Sequence, residues 1–138
     1  MGFGAGAGTE ALVNLLIRQE IPFEYVSYEN DPSYLPTHLR VHAVLWKKTP
    51  EALVPGPYDL ILMDGPKGAE TMTRMRWFPL LPPVIRKGTV FLVDDFGANP
   101  NYGVELQKRF EYTEIADRPR TSVGVDNWRV VRIEGVKE

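Results

Sequence analysis

The chain has 138 residues, 43% of them hydrophobic and 25% charged, with a formal net charge of −2, which is the size and make-up of one soluble globular domain. That near-even balance gives no electrostatic reason to expect nucleic acid as a partner, and no apolar run approaches the roughly 18 residues of a membrane span. There is no cysteine, which excludes disulfides, thiolate metal sites and cysteine nucleophiles. No secretory leader is recognisable, and the cytoplasm is the expected location.

The chain opens MGFGAGAGTEALVNLL. Gly2, Gly4, Gly6 and Gly8 alternate with small or aromatic residues, and an apolar pattern at helical spacing (Leu12, Leu15, Leu16) follows at once. The spacing predicts a helix from Thr9 to Glu20 with Thr9 as its N-cap, ended by Ile21-Pro22 because proline disfavours helical backbone in the residue before it. FEYVSY (residues 23–28) is aromatic and β-branched and reads as a strand, turned by Glu29-Asn30-Asp31-Pro32. LRVHAVLW (39–46) reads as a second strand, followed by a TPEALVPGP loop. YDLILM (58–63) is short and almost continuously apolar, as expected of a parallel strand covered on both faces. After DGPKG, two helical pieces are expected, 69–77 and 80–86, broken by Pro79, Pro82 and Pro83 and closed by Lys87-Gly88. TVFLV (89–93) reads as another buried strand, ending in Asp94-Asp95. A helix over 101–110 precedes two strands, 112–118 and 127–133, with no helix between them and hence an antiparallel hairpin.

Alternating β and α with buried central strands implies a single α/β domain over 1–138. Its architecture is a doubly wound Rossmann-like sheet, mostly parallel with a C-terminal antiparallel hairpin. Ligands in such sheets bind at the carboxyl ends of the strands, where strand order reverses. The candidates at those ends are Gly4, Gly6 and Gly8 in the glycine loop, then Glu29, Trp46, Asp64 and the pair Asp94-Asp95. A glycine loop opening a helix brings backbone N–H groups close to a ligand. An acid about 20 residues on can hold a ribose diol, and Glu29 lies near that distance. Glycines that only make a tight turn, and a Glu29 that only caps or faces water, are the plain alternatives. Asp64 and Asp94-Asp95 follow adjacent parallel strands, so their carboxylates are expected to converge. Hard oxygen donors of that kind suit Mg²⁺, whereas a structural DGP turn and a capping Asp95 are the plain alternatives.

Taken together, GFGAGAGT, VSYENDPSYL, YDLILMDGPKG and LPPVIRKGTVFLVDDF resemble, in order and spacing, the class I S-adenosylmethionine-dependent methyltransferases. The resemblance covers nearly the whole chain. It implies that Gly4, Gly6 and Gly8 wrap the methionine part of the cofactor and that Glu29 holds its ribose. Trp46 and Asp64 would lie beside them in the cofactor site. Metal-dependent O-methyltransferases of the catechol and sugar-modifying types place acids as Asp64, Asp94 and Asp95 stand here, and a basic lysine as Lys67 stands. The resemblance thus implies a small-molecule acceptor, Mg²⁺ assistance and Lys67 as general base.

Two departures accompany it. Gly2 stands where the family usually carries an acid, and the family's first, central strand is expected to be missing, as in an N-terminally truncated or degenerate homologue. Such a gap is filled only by closing up or by a strand from another chain, as in a homodimer. Two other readings of the same residues are a methyltransferase-like interaction domain without activity and an NAD-dependent oxidoreductase using the same glycine loop. The Asp-Asp pair, the terminal hairpin and the lack of a Tyr-x-x-x-Lys motif count against the last.

Overall fold

In chain order the protein forms β1 (Gly2–Gly4), α1 (Gly6–Arg18), β2 (Tyr25–Glu29), β3 (Val41–Leu45), β4 (Tyr58–Asp64), β5 (Ile85–Asp94), α2 (Asn101–Arg109), β6 (Phe110–Arg118) and β7 (Trp128–Val136). These elements come from a computed structural model that describes residues 2–4, 6–29, 32–34, 37, 41–45, 53–64, 75–94, 101–118 and 128–138. The strands make one seven-stranded sheet in the order β3-β2-β1-β4-β5-β7-β6. β1 to β5 run parallel, and β7 is antiparallel to both β5 and β6. The doubly wound sheet and the closing hairpin are therefore as the sequence implies.

The missing first strand needs a correction. Its place between β2 and β4 is taken by a three-residue stub, Gly2–Gly4. The stub pairs Gly2 with Ser27 and Leu62, Phe3 with Tyr28 and Met63, and Gly4 with Asp64. Gly4 thus ends a strand, and Gly6 and Gly8 sit in the first turn of α1, not in the loop expected of them. Thr9 is not the N-cap. It lies inside α1, 5% exposed, with its hydroxyl 3.3 Å from that of Tyr25.

α1 also ends earlier than proline alone would require. Glu20 N–H bonds to Ile17 O and Ile21 N–H to Leu16 O, both at 3.0 Å, with Glu20 at φ 55°. This is a Schellman closure, with the left-handed position that glycine usually fills occupied by glutamate. Residues 80–86 do not form the expected helix. Pro79, Pro82 and Pro83 allow only two 3₁₀ turns, Phe78–Leu80 and Pro82–Val84, after which β5 starts at once. The expected helix over 69–77 lies mostly outside the described residues.

The core sits on one face of the sheet and follows the two-residue period of its strands. Register pairs Ile61 with Phe91, Met63 with Val93 and Phe91 with Val131, which puts these buried side chains in one layer. α2 lays Tyr102 and Leu106, one turn apart, on that layer. Phe78 bridges the two, stacked on Phe91 at 6.2 Å and tilted on Tyr102 at 6.0 Å. Burying a phenylalanine contributes about 2–3 kcal/mol, so this triad is a main source of stability. The opposite face receives α1, where Val13 is fully buried.

β5 is irregular where it meets β4. Tyr58 pairs with Ile85 and Leu60 with Val90, so Arg86 to Thr89 stand opposite Asp59 alone. Gly88 absorbs the excursion at φ 94°. Thr89 closes it, its hydroxyl accepting from Arg86 N–H at 3.1 Å and donating to Tyr58 O at 2.7 Å. Arg86 forms an ion pair with Asp59 across the bulge.

Candidate functional site

The chain moves outward from β1 to β2 and β3, then returns to lay β4 on the other side of β1. This reversal is a topological switch point, and its crevice opens at the carboxyl ends of β1 and β4. Gly4 and Asp64 are register partners at that place. One residue after Gly4 leaves its strand, α1 begins, so the first-turn N–H groups of Gly6 and Gly8 stand at the same end. The first turn of a helix has no acceptor within the helix for its N–H groups and carries the positive end of the helix dipole. That environment suits a ligand carboxylate or phosphate.

Glu29 closes β2 beside this crevice. It is only 4% exposed, an uncommon setting for a carboxylate. The plain reading of Glu29 as a solvent-facing turn residue therefore does not hold. It shares a strand face with Tyr25 and Ser27, whereas Val26 and Tyr28 point into the core. Ser27 is fully buried, and its hydroxyl has no hydrogen-bond partner among the described residues. Sequence reasoning passed over Ser27. The signal was there in the alternation Tyr25, Ser27, Glu29, a polar row beneath the crevice on a strand whose other face is apolar.

On its core side β2 is held by aromatic contacts and main chain. Tyr28 packs edge-on against Trp77 at 5.3 Å, and its hydroxyl accepts from Val54 N–H at 2.7 Å. Tyr58 donates to Val54 O at 2.9 Å. Burial raises the Tyr28 hydroxyl pKa, opposed by the Val54 bond. Burial likewise, with the charge of Glu24 and with Tyr28 nearby, pushes Tyr58 up to about 12. Both are neutral hydrogen-bonding groups at neutral pH.

Asp64 and Asp94 end the adjacent parallel strands β4 and β5, one step beyond the paired Met63 and Val93. The backbone thus brings together two of the three expected acids, since neighbouring strands run about 4.8 Å apart. Their side chains, and the whole of Trp46, Lys67 and Asp95, lie outside the described residues. Among the described residues no three His, Asp or Glu side chains cluster as metal ligands.

Neither a protein-family model nor a curated protein sequence matches the chain. Solved structures do. A ribosomal protein L11 methylase from Lactobacillus delbrueckii subsp. bulgaricus superposes with a TM-score of 0.62 at 9% identity, over 97% of this chain and 69% of its own. A methyltransferase from Pyrococcus furiosus gives 0.60 at 13% identity, over 98% and 75%. Human methyltransferase-like protein 13, solved with SAH, gives 0.58 at 13% identity, over 96% and 70%. The chain therefore has the class I methyltransferase fold.

Proposed function

We infer that the protein binds S-adenosylmethionine at the β1–β4 crevice and transfers its methyl group. The observation that carries this is Glu29, a carboxylate 4% exposed at the end of β2, one strand from Gly4 and the start of α1. Such an acid accepts both hydrogen bonds of a ribose diol; the α1 first turn would take the ligand's carboxylate, and Trp46 is the residue proposed to border the base. SAH, the demethylated form of this cofactor, occupies one of the structural neighbours.

The acceptor is a small molecule with a hydroxyl group. When bound, S-adenosylmethionine would supply a sulfonium methyl for in-line transfer to that oxygen with loss of its carbon–sulfur bond, and Lys67, in its neutral form, would accept the hydroxyl proton. Positioning accounts for most of such a rate enhancement. Asp64, Asp94 and Asp95 supply the hard oxygen donors that Mg²⁺ prefers, and the cation, when bound, lowers the acceptor hydroxyl's pKa. A cytoplasmic location agrees with this chemistry; among the described residues no helix is long and apolar enough to cross a membrane.

Calorimetric titration of the full chain with S-adenosylmethionine and with NAD tests the reading. Binding of the first alone is expected. Glu29→Gln, which keeps the volume and removes the charge, should weaken it by about tenfold or more, because hydrogen bonds to charged groups contribute roughly 1.5–3 kcal/mol. Binding of neither ligand would favour a domain that has lost its cofactor, and NAD binding would favour an oxidoreductase. Asp94→Ala with unchanged Mg²⁺ affinity would remove the metal assignment.

A further inference from the structure

Glu29 has a neighbour on its own strand face that the proposed function leaves unused. Alternate residues of a strand share a face, so Tyr25, Ser27 and Glu29 form one row, turned away from the core that holds Val26 and Tyr28. All three are buried, Ser27 completely. Tyr25 has a partner, since its hydroxyl lies 3.3 Å from that of Thr9 in α1. The same contact puts α1 against this face of β2. The Ser27 hydroxyl has no partner among the described residues.

Alanine would fill the place of Ser27 with no polar group to bury, and a buried hydroxyl left unpaired is destabilising. Buried polar groups are as a rule satisfied by protein or by ordered water. Ser27 is level with Gly2 of β1, which carries no side chain to take the space beside it. The Cα atoms of Ser27 and Glu29 stand two strand steps apart, about 7 Å. Both side chains reach into that span, and a single water bonded at about 2.8 Å on either side closes it. The row thus supplies a hydroxyl and a carboxylate to one water, the polar surroundings that a buried water needs.

We propose that Ser27 is a positioning residue for Glu29, acting through one buried water. The Ser27 hydroxyl donates to the water, and the water donates to the Glu29 carboxylate. Held in this way, the carboxylate keeps one orientation and its remaining acceptor sites serve the ribose hydroxyls. The inference deepens the reading of Glu29 as the acid that takes the ribose diol, and rests on it. Preorganising that acid strengthens the grip on the diol and on no other part of the ligand.

The probes are SAH and its analogue lacking both ribose hydroxyls, each titrated calorimetrically into the full chain. The wild-type protein should prefer SAH by about tenfold or more. Ser27→Ala removes one atom and introduces no clash, so the fold persists. It should bind SAH about fivefold more weakly and the analogue unchanged. In a Glu29→Gln background the same change should have no further effect, because residues of one hydrogen-bond network couple. A wild-type protein that binds neither ligand, or both alike, would refute the reading of Glu29 and this inference with it. A wild-type preference for SAH, with Ser27→Ala weakening both ligands alike or neither, would leave Glu29 in its role and overturn the inference alone. Ser27 would then be ordinary packing. The free protein gives an answer that needs no ligand: the carboxylate infrared band that Glu29→Gln removes should shift in Ser27→Ala. An unshifted band overturns the water bridge.

Discussion

The end of α1 makes a quantitative prediction. Glu20 holds φ 55° because the Schellman bonds Glu20 N–H to Ile17 O and Ile21 N–H to Leu16 O require it. A left-handed backbone costs a residue with a Cβ about 1–2 kcal/mol. Glycine avoids that strain but loses about 0.5–1 kcal/mol more in chain entropy on folding. The glutamate charge beside the negative end of the helix dipole adds about 0.3–1 kcal/mol of destabilisation. Glu20→Gly should therefore stabilise the protein by about 1 kcal/mol, or raise Tm by about 3–4 °C in a domain of this size. Glu20→Ala removes the charge and keeps the Cβ, so it should recover only a few tenths of a kcal/mol. Urea melts of the three proteins decide the matter. A glycine variant no more stable than the alanine variant would refute the strain argument.

Three further outcomes follow from packing and titration. Thr89→Val removes the hydroxyl that serves Arg86 N–H and Tyr58 O at a position 1% exposed, and should cost about 2 kcal/mol in a denaturant melt, with the strand partner orphaned. At Gly56 an added Cβ would stand 2.9 Å from Val84 O and 3.0 Å from Tyr58 N; Gly56→Ala should lower stability by about 1–3 kcal/mol through overpacking against backbone. Tyr58 titrates at about 12 when folded against 10.0 for a free tyrosine, so between those values the unfolded chain releases the proton first. Stability is therefore fully present below pH 10 and falls as pH rises towards 12, and Tyr58→Phe should make the loss between two melts at pH 9 and pH 11 smaller.

The sequence revealed the strands where burial dictates composition. Tyr58 to Met63 and Thr89 to Val93 are apolar on both faces because parallel neighbours and layers enclose them, and both appear in place. The terminal hairpin was legible from the absence of an intervening helix. Boundaries set by backbone geometry were not. Gly6 and Gly8 are poor helix formers, so nothing local announces that α1 starts among them and leaves Thr9 inside. Ile85 and Arg86 read as the end of a helix, because the pairing of Ile85 with β4 depends on Gly88 and Thr89 folding an excursion that only the sheet partner makes sensible. At the candidate site, Glu29 was singled out from its strand end and its spacing from the glycines, whereas its burial and the hidden Ser27 beneath it are products of the tertiary fold.

The short β1 also bears on how the molecule opens. Among the described residues β2 and β3 meet the rest of the sheet through two ladder positions on β1, while β4, β5, β7 and β6 are joined by longer ladders. Across that narrow waist, Val54 is bonded to both Tyr28 of β2 and Tyr58 of β4, and acts as a clasp between the two halves. Native-state exchange should therefore resolve two cooperative units. The β2–β3 unit, carrying Glu29, opens first and at lower free energy. A ligand gripped by Glu29 and by the first turn of α1 would bridge both units, so its binding should raise the smaller unit's protection towards that of the larger.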